Sequence, residues 1–146
     1  MAGAFDLQTS QDWLERLERE LQRFRTTPND RDAAINFFVA AESMLDWKHP
    51  GDQNASVRKT IRDSEPLLRV VWDLASLSKH LQVRPQHNSV DTSGVLGEFF
   101  GGSFFGGQFF GTLTVKLKGS AAAQFGPSLS AIELAERAVT YWKAHA

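Results

Sequence analysis

The stretch WDLASLSKHLQV, Trp72 to Val83, places an aspartate, a serine and a histidine at helical spacing. Asp73, Ser76 and His80 are the side-chain types of nucleophilic and acid–base catalysis, and Arg69 lies one turn upstream. At 100° per residue, Arg69, Asp73, Ser76 and His80 fall within an arc of about 60°. Leu67, Val71, Leu74 and Leu81 lie almost opposite. The plain expectation is therefore a solvent-facing polar stripe on a packed helix. Trp72 and Leu77 border that stripe with apolar surface, and a half-covered polar stripe is where a pKa can be tuned.

Spacing limits the chemistry. Asp73 and His80 are seven residues apart, which puts their Cα atoms about 10.5 Å apart on a helix. A direct hydrogen bond needs about 3 Å between heavy atoms. Ser76 sits between them as a relay, but nucleophile, base and orienter must touch in sequence. A second set, Glu42, Asp46 and His49, shares one face of an earlier helix. If the two helices pack antiparallel, Asp46 or Glu42 meets Arg69 or His80, either as a cross-helix ion pair or as an acid–base site. The candidate catalytic residues are thus Arg69, Asp73, Ser76, His80, Glu42 and Asp46, with the structural ion pair as the favoured reading. His49, His80, His87 and His145 form no H-x-x-x-H or His-x-His pair, so no metal site and no cofactor is expected.

The elements that must hold these residues follow from periodicity. At 146 residues the chain makes one domain with a real core. Three zones appear: 1–83 helical, 84–128 loop and strand, 129–146 a closing helix. The first helix is expected from Ser10 to Arg25, capped by Thr9 or Ser10, with Trp13, Leu14, Leu17, Leu21 and Phe24 as its apolar stripe. Its charged run ERLERELQRFR reads as a solvated face. The second follows Pro28-Asn29, carries Ala34, Phe37, Phe38, Ala41, Met44 and Leu45, and stops at His49-Pro50-Gly51. The third, weakly apolar, spans about Ala55 to Asp63. The fourth opens at Glu65-Pro66 and runs to His80 or Leu81, ahead of Arg84-Pro85.

Residues 112–118 read as a half-buried strand, with Leu113, Val115 and Leu117 alternating with polar residues and Gly119 closing it. A capping box at Ser130 to Glu133 opens the last helix, whose stripe is Ile132, Ala135, Val139 and Trp142. The fold expected is α+β, predominantly α: a helical bundle with a small Gly/Phe-rich β element and a C-terminal helix.

Composition narrows the function classes. A net charge of −1 provides no basic stripe for a nucleic acid. With no cysteine there is neither a disulfide framework nor a thiolate metal site. No run reaches the roughly 20 apolar residues of a spanning helix. The N-terminal MAGAFDLQTSQDW lacks the basic and apolar regions of a signal peptide, so the expected compartment is the cytoplasm.

The most unusual segment is EFFGGSFFGGQFFG, Glu98 to Gly111, with doublets Phe99-Phe100, Phe104-Phe105 and Phe109-Phe110 at a period of five. As a helix its glycines would cost about 1 kcal/mol each. As a strand it places phenylalanines on both faces. Leaving them exposed forgoes about 1.5–3 kcal/mol apiece, so they must bury against something. Packing back on the bundle and packing against another subunit are compatible, one face each. These six phenylalanines are the expected interface residues of a homo-oligomer, a C2 dimer. No G-x-x-x-x-G-K-[ST] motif is present, and Lys118-Gly119-Ser120 has the reverse order.

Ala41, Leu45 and Trp47 on one helix, Asp73, Leu74, Lys79 and His80 on a later one, the Gly/Phe-rich hairpin and the terminal Tyr141-Trp142 together resemble a loose group of uncharacterised bacterial and phage proteins. The resemblance covers about two thirds of the chain. It implies a small helical bundle with a C-terminal strand addition, and no activity. Where that group often has asparagine, this chain has Ser76. The bundle also distantly resembles the HEPN superfamily of helical nucleases and nucleotide-binding modules, whose nuclease members carry an arginine followed four to six residues later by histidine. Arg69 and His80 are eleven apart, and Arg84 and His87 three, so that catalytic motif is missing.

The functional expectation is a non-enzymatic protein–protein interaction module of bacterial, phage or mobile-element origin, with an unidentified protein or a second copy as partner and with no membrane. The alternative is a HEPN-like ribonuclease or nucleotide-handling protein using the polar face around His80, the one reading under which a nucleic acid is a partner.

Overall fold

In a computed structural model of the chain, residues 5–79, 89–90 and 113–145 are described. The helices are α1 (Ser10–Thr26), α2 (Arg31–Glu42), α3 (Met44–Lys48), α4 (Ala55–Ser64), α5 (Pro66–Lys79), α6 (Gly119–Phe125) and α7 (Ala131–Ala144). A turn of 3₁₀-helix, Asp52–Asn54, precedes α4, and two short strands, β1 (Thr114–Lys116) and β2 (Ser128–Ser130), flank α6. The expected α+β, predominantly helical class is what the chain adopts.

Local chemistry explains each boundary. Thr9 caps α1 through a reciprocal box: its hydroxyl accepts from Asp12 N–H at 3.0 Å, and the Asp12 carboxylate accepts from Thr9 N–H at 2.9 Å. Asp30 caps α2. The stripe from Ala34 to Leu45 was expected on one continuous helix, but it breaks at Ser43. There the serine hydroxyl donates to the Val39 carbonyl at 3.2 Å, a local bond that bends helices. Met44 and Leu45 nevertheless stay buried on α3. Gly51 turns the chain at φ 87°, where the Gln53 side chain would meet a Cβ at 2.5 Å. No residue of α4 is fully buried, in keeping with its weakly apolar sequence. Glu65 is extended ahead of Pro66, which opens α5.

The core is shared by α1, α2, α5 and α7, with Phe24, Phe37, Phe38, Leu74 and Leu134 fully enclosed. Phe37 and Phe38 meet edge to face at 5.2 Å. Helix α5 packs against α2, α4, α6 and α7. Glu20 departs from the solvated face expected of α1: it is 8% exposed and pairs with Arg23. On α7, Leu134 and Ala138 join the buried set, whereas Ile132 is only partly buried.

The strand expectation holds at its centre. Leu113, Val115 and Leu117 are buried, and β1 pairs antiparallel with β2, Val115 opposite Leu129. The zone 84–128 was expected to hold loop and strand; α6 is the departure there, and β2 extends two residues into the zone expected to be helix. Helix α6 ends at Gly126, whose φ of 89° suits glycine. Val90 bridges Leu117, and Lys118 N–H donates to the Ser89 carbonyl at 3.0 Å. His80 and the Phe/Gly repeat lie outside the described residues.

Candidate functional site

Four of the six polar candidates are held by partners on other elements or across a turn. Arg69 donates to Asp63 Oδ1 at 2.6 Å and lies over the Trp72 ring at 4.9 Å. Glu42 faces Lys79 at 3.5 Å, and Asp46 faces Arg58 at 3.2 Å. Helices α2 and α5 do pack together, but the partner of Glu42 is Lys79 and the partner of Arg69 is Asp63. Among the described residues the cross-helix ion pair is Glu42 with Lys79, and the expected pairing with His80 lies outside them.

Asp73 departs furthest from its expected place. It is 0% exposed, and its Oδ2 accepts from Ser89 N–H at 2.9 Å and from the Ser89 hydroxyl. The helical arc that predicts a wet stripe assumes that α5 has a free face. Elements pack around α5 on several sides, so Asp73 turns inward to a chain segment sixteen residues ahead. Buried carboxylates must be hydrogen-bonded, and Ser89 supplies two donors. Ser76 is half-buried, and His80 falls outside the described residues.

A second polar cluster forms between α2, α3, α4 and α5, closed by Trp142 of α7. Arg58 and Arg62 stand one turn apart on α4. Arg58 also donates to the carbonyls of His49 at 2.6 Å and Gly51 at 2.8 Å, tying α4 to the preceding turn. Arg62 lies over the Trp72 ring at 4.1 Å, so that Trp72 receives two guanidinium groups. Burial pushes the Arg62 guanidinium below its ordinary pKa, with Arg69 adding to the effect and Asp63, Glu42 and Asp46 opposing it. A cavity of about 20 Å³ sits here, lined by Glu42, Asp46, Arg58, Arg62, Trp72 and Trp142 among others.

Glu42, Asp46 and Trp72 were visible in the sequence as polar candidates or as an apolar border. Arg58 and Arg62 were not singled out. Their spacing on a helix with almost no core of its own was the available signal: such a helix must be held by its charges.

Tryptophan contacts mark another surface. Trp13 and Trp47 stack at 5.1 Å, Arg16 covers Trp13 at 4.5 Å, and Trp13 Nε1–H donates to the Ala40 carbonyl at 2.8 Å. Among the described residues there is no group of three or more metal-type ligands. None of their helices is long and apolar enough to cross a membrane. Comparison of the chain with family models, curated proteins and solved structures gives no match.

Proposed function

We propose that the chain is a non-enzymatic protein–protein interaction module of bacterial, phage or mobile-element origin. It works in the cytoplasm as a C2 homodimer built through Phe99, Phe100, Phe104, Phe105, Phe109 and Phe110. The observation that carries the reading is the use made of Arg69, Asp73, Glu42 and Asp46. Each is engaged as a structural tie, to Asp63, Ser89, Lys79 and Arg58 in turn. Side chains committed in this way hold a bundle together; catalysis would ask them to converge on one reacting atom. The chain's apolar surplus lies elsewhere in the sequence, in six phenylalanines within twelve residues, and apolar patches of that size serve as interfaces.

The rival, a ribonuclease or nucleotide-handling activity centred on His80, is separated by direct assay. Wild type and His80→Ala are incubated with mixed RNA and nucleotides. The proposal expects no turnover from either protein. Turnover by wild type that His80→Ala abolishes would replace it with the enzymatic reading.

A further inference from the structure

Two buried N–H donors lack an acceptor, and both belong to side chains lining the same cavity: Arg62 Nε and Trp142 Nε1. Trp142 is 3% exposed. Neither group can accept a hydrogen bond, so they cannot satisfy each other. A buried donor left unmade costs about 1–3 kcal/mol, more when it is charged. The cavity, about 20 Å³, has room for one oxygen-sized group.

Charge distinguishes an anion from a water. Around the cavity, Asp46 is answered by Arg58 and Glu42 by Lys79, while Arg69 beside Trp72 is answered by Asp63. Arg62 has no carboxylate within ion-pair distance among the described residues; its close contact is the face of Trp72. A half-buried guanidinium whose neighbouring carboxylates stand beyond ion-pair distance, with a ring face as its close contact, favours a nearer counter-charge. Glu42 and Asp46 line the cavity and repel a phosphate dianion more strongly than a monoanion.

We propose that this cavity is a carboxylate-binding site. One carboxylate oxygen enters to accept from Arg62 Nε–H and Trp142 Nε1–H, and the rest of the ligand leaves past the exposed Asp46 side. The site is independent of the phenylalanine interface, and its ligand is a free small carboxylate or a carboxylate of a partner protein.

The test uses the full chain labelled with ¹⁵N and follows its indole N–H resonances, Trp142 being assigned by its loss in Trp142→Phe. Sodium formate is titrated against sodium chloride and sodium phosphate at equal ionic strength. The expected result is a saturable shift of the Trp142 resonance with formate. Trp13, whose N–H is committed to Ala40, stays in place and reports that the fold is intact. In Arg62→Met the apparent affinity falls at least about tenfold, with Arg62→Lys between the two. N-acetylglycine, compared with formate, separates the sources: tighter binding assigns a protein carboxylate, equal binding a free one. A Trp142 resonance unmoved by formate, moved as readily by chloride or phosphate, or moved equally in Arg62→Met would overturn the proposal.

Discussion

Asp73 is a polar side chain buried at the centre of its own hydrogen bonds. Its carboxylate is fully enclosed and accepts two hydrogen bonds from Ser89, pinning a distant segment to α5. Hydrogen bonds to a charged group are worth about 1.5–3 kcal/mol each, and removing one partner strands the other. Asp73→Ala is therefore expected to lower unfolding stability by at least about 2 kcal/mol, measured from the urea midpoint. Adding Ser89→Ala should cost less than its single effect, because the two residues act as a unit. Additive losses would mean that the pair is not coupled. Asp12 and Asp63 work at the surface. Backbone N–H groups of Gln8 and Thr9 lower the Asp12 pKa, and a hydrogen bond from Lys59 lowers that of Asp63. A depressed carboxylate stabilises the fold above its unfolded pKa, and that contribution is lost as the pH falls through the folded one. Both groups are exposed, so the effect is small. Stability should begin to decline as the pH drops below about 3.8, and Asp12→Asn should flatten that decline in acid melts.

At the scale of elements, caps and stripes decide what forms. Thr9→Ala removes one half of the capping box of α1 and should cost about 0.5–2 kcal/mol, read as a lower thermal midpoint. Phe37→Ala empties a fully enclosed position on α2 beside Phe24 of α1 and should cost about 3–5 kcal/mol. The helices with strong stripes and clear caps were legible: α1 from Thr9, α5 from Pro66, α7 from Ser130. Less legible were elements whose cause is not periodic. The break at Ser43 comes from one hydroxyl back-bonding to Val39, which leaves the apolar stripe unchanged. Helix α6, GSAAAQF, is too short to show a period, and its anchor is a single buried alanine, Ala121. Strand β2 is three residues whose role is set by its partner β1. The polar candidates were found by type and spacing, but their partners were not. Which cation meets Glu42 depends on the register between α2 and α5, and a helical wheel does not contain that register. The inward turn of Asp73 depends likewise on Ser89, sixteen residues further along the chain.

At the scale of the whole molecule, the described helices bury one another around a single core, and the charged residues on α2, α4 and α5 knit that bundle at its surface. The proposed function is association through the phenylalanine repeat of residues 99–110. Light scattering on wild type and on Phe104→Ser/Phe105→Ser, across micromolar concentrations, reads that association. The expected result is a wild-type mass of twice 16.3 kDa and a variant that is monomeric yet still folded. A wild type that stays monomeric at high micromolar concentration, paired with a variant that loses stability, would contradict it and make the repeat part of the core.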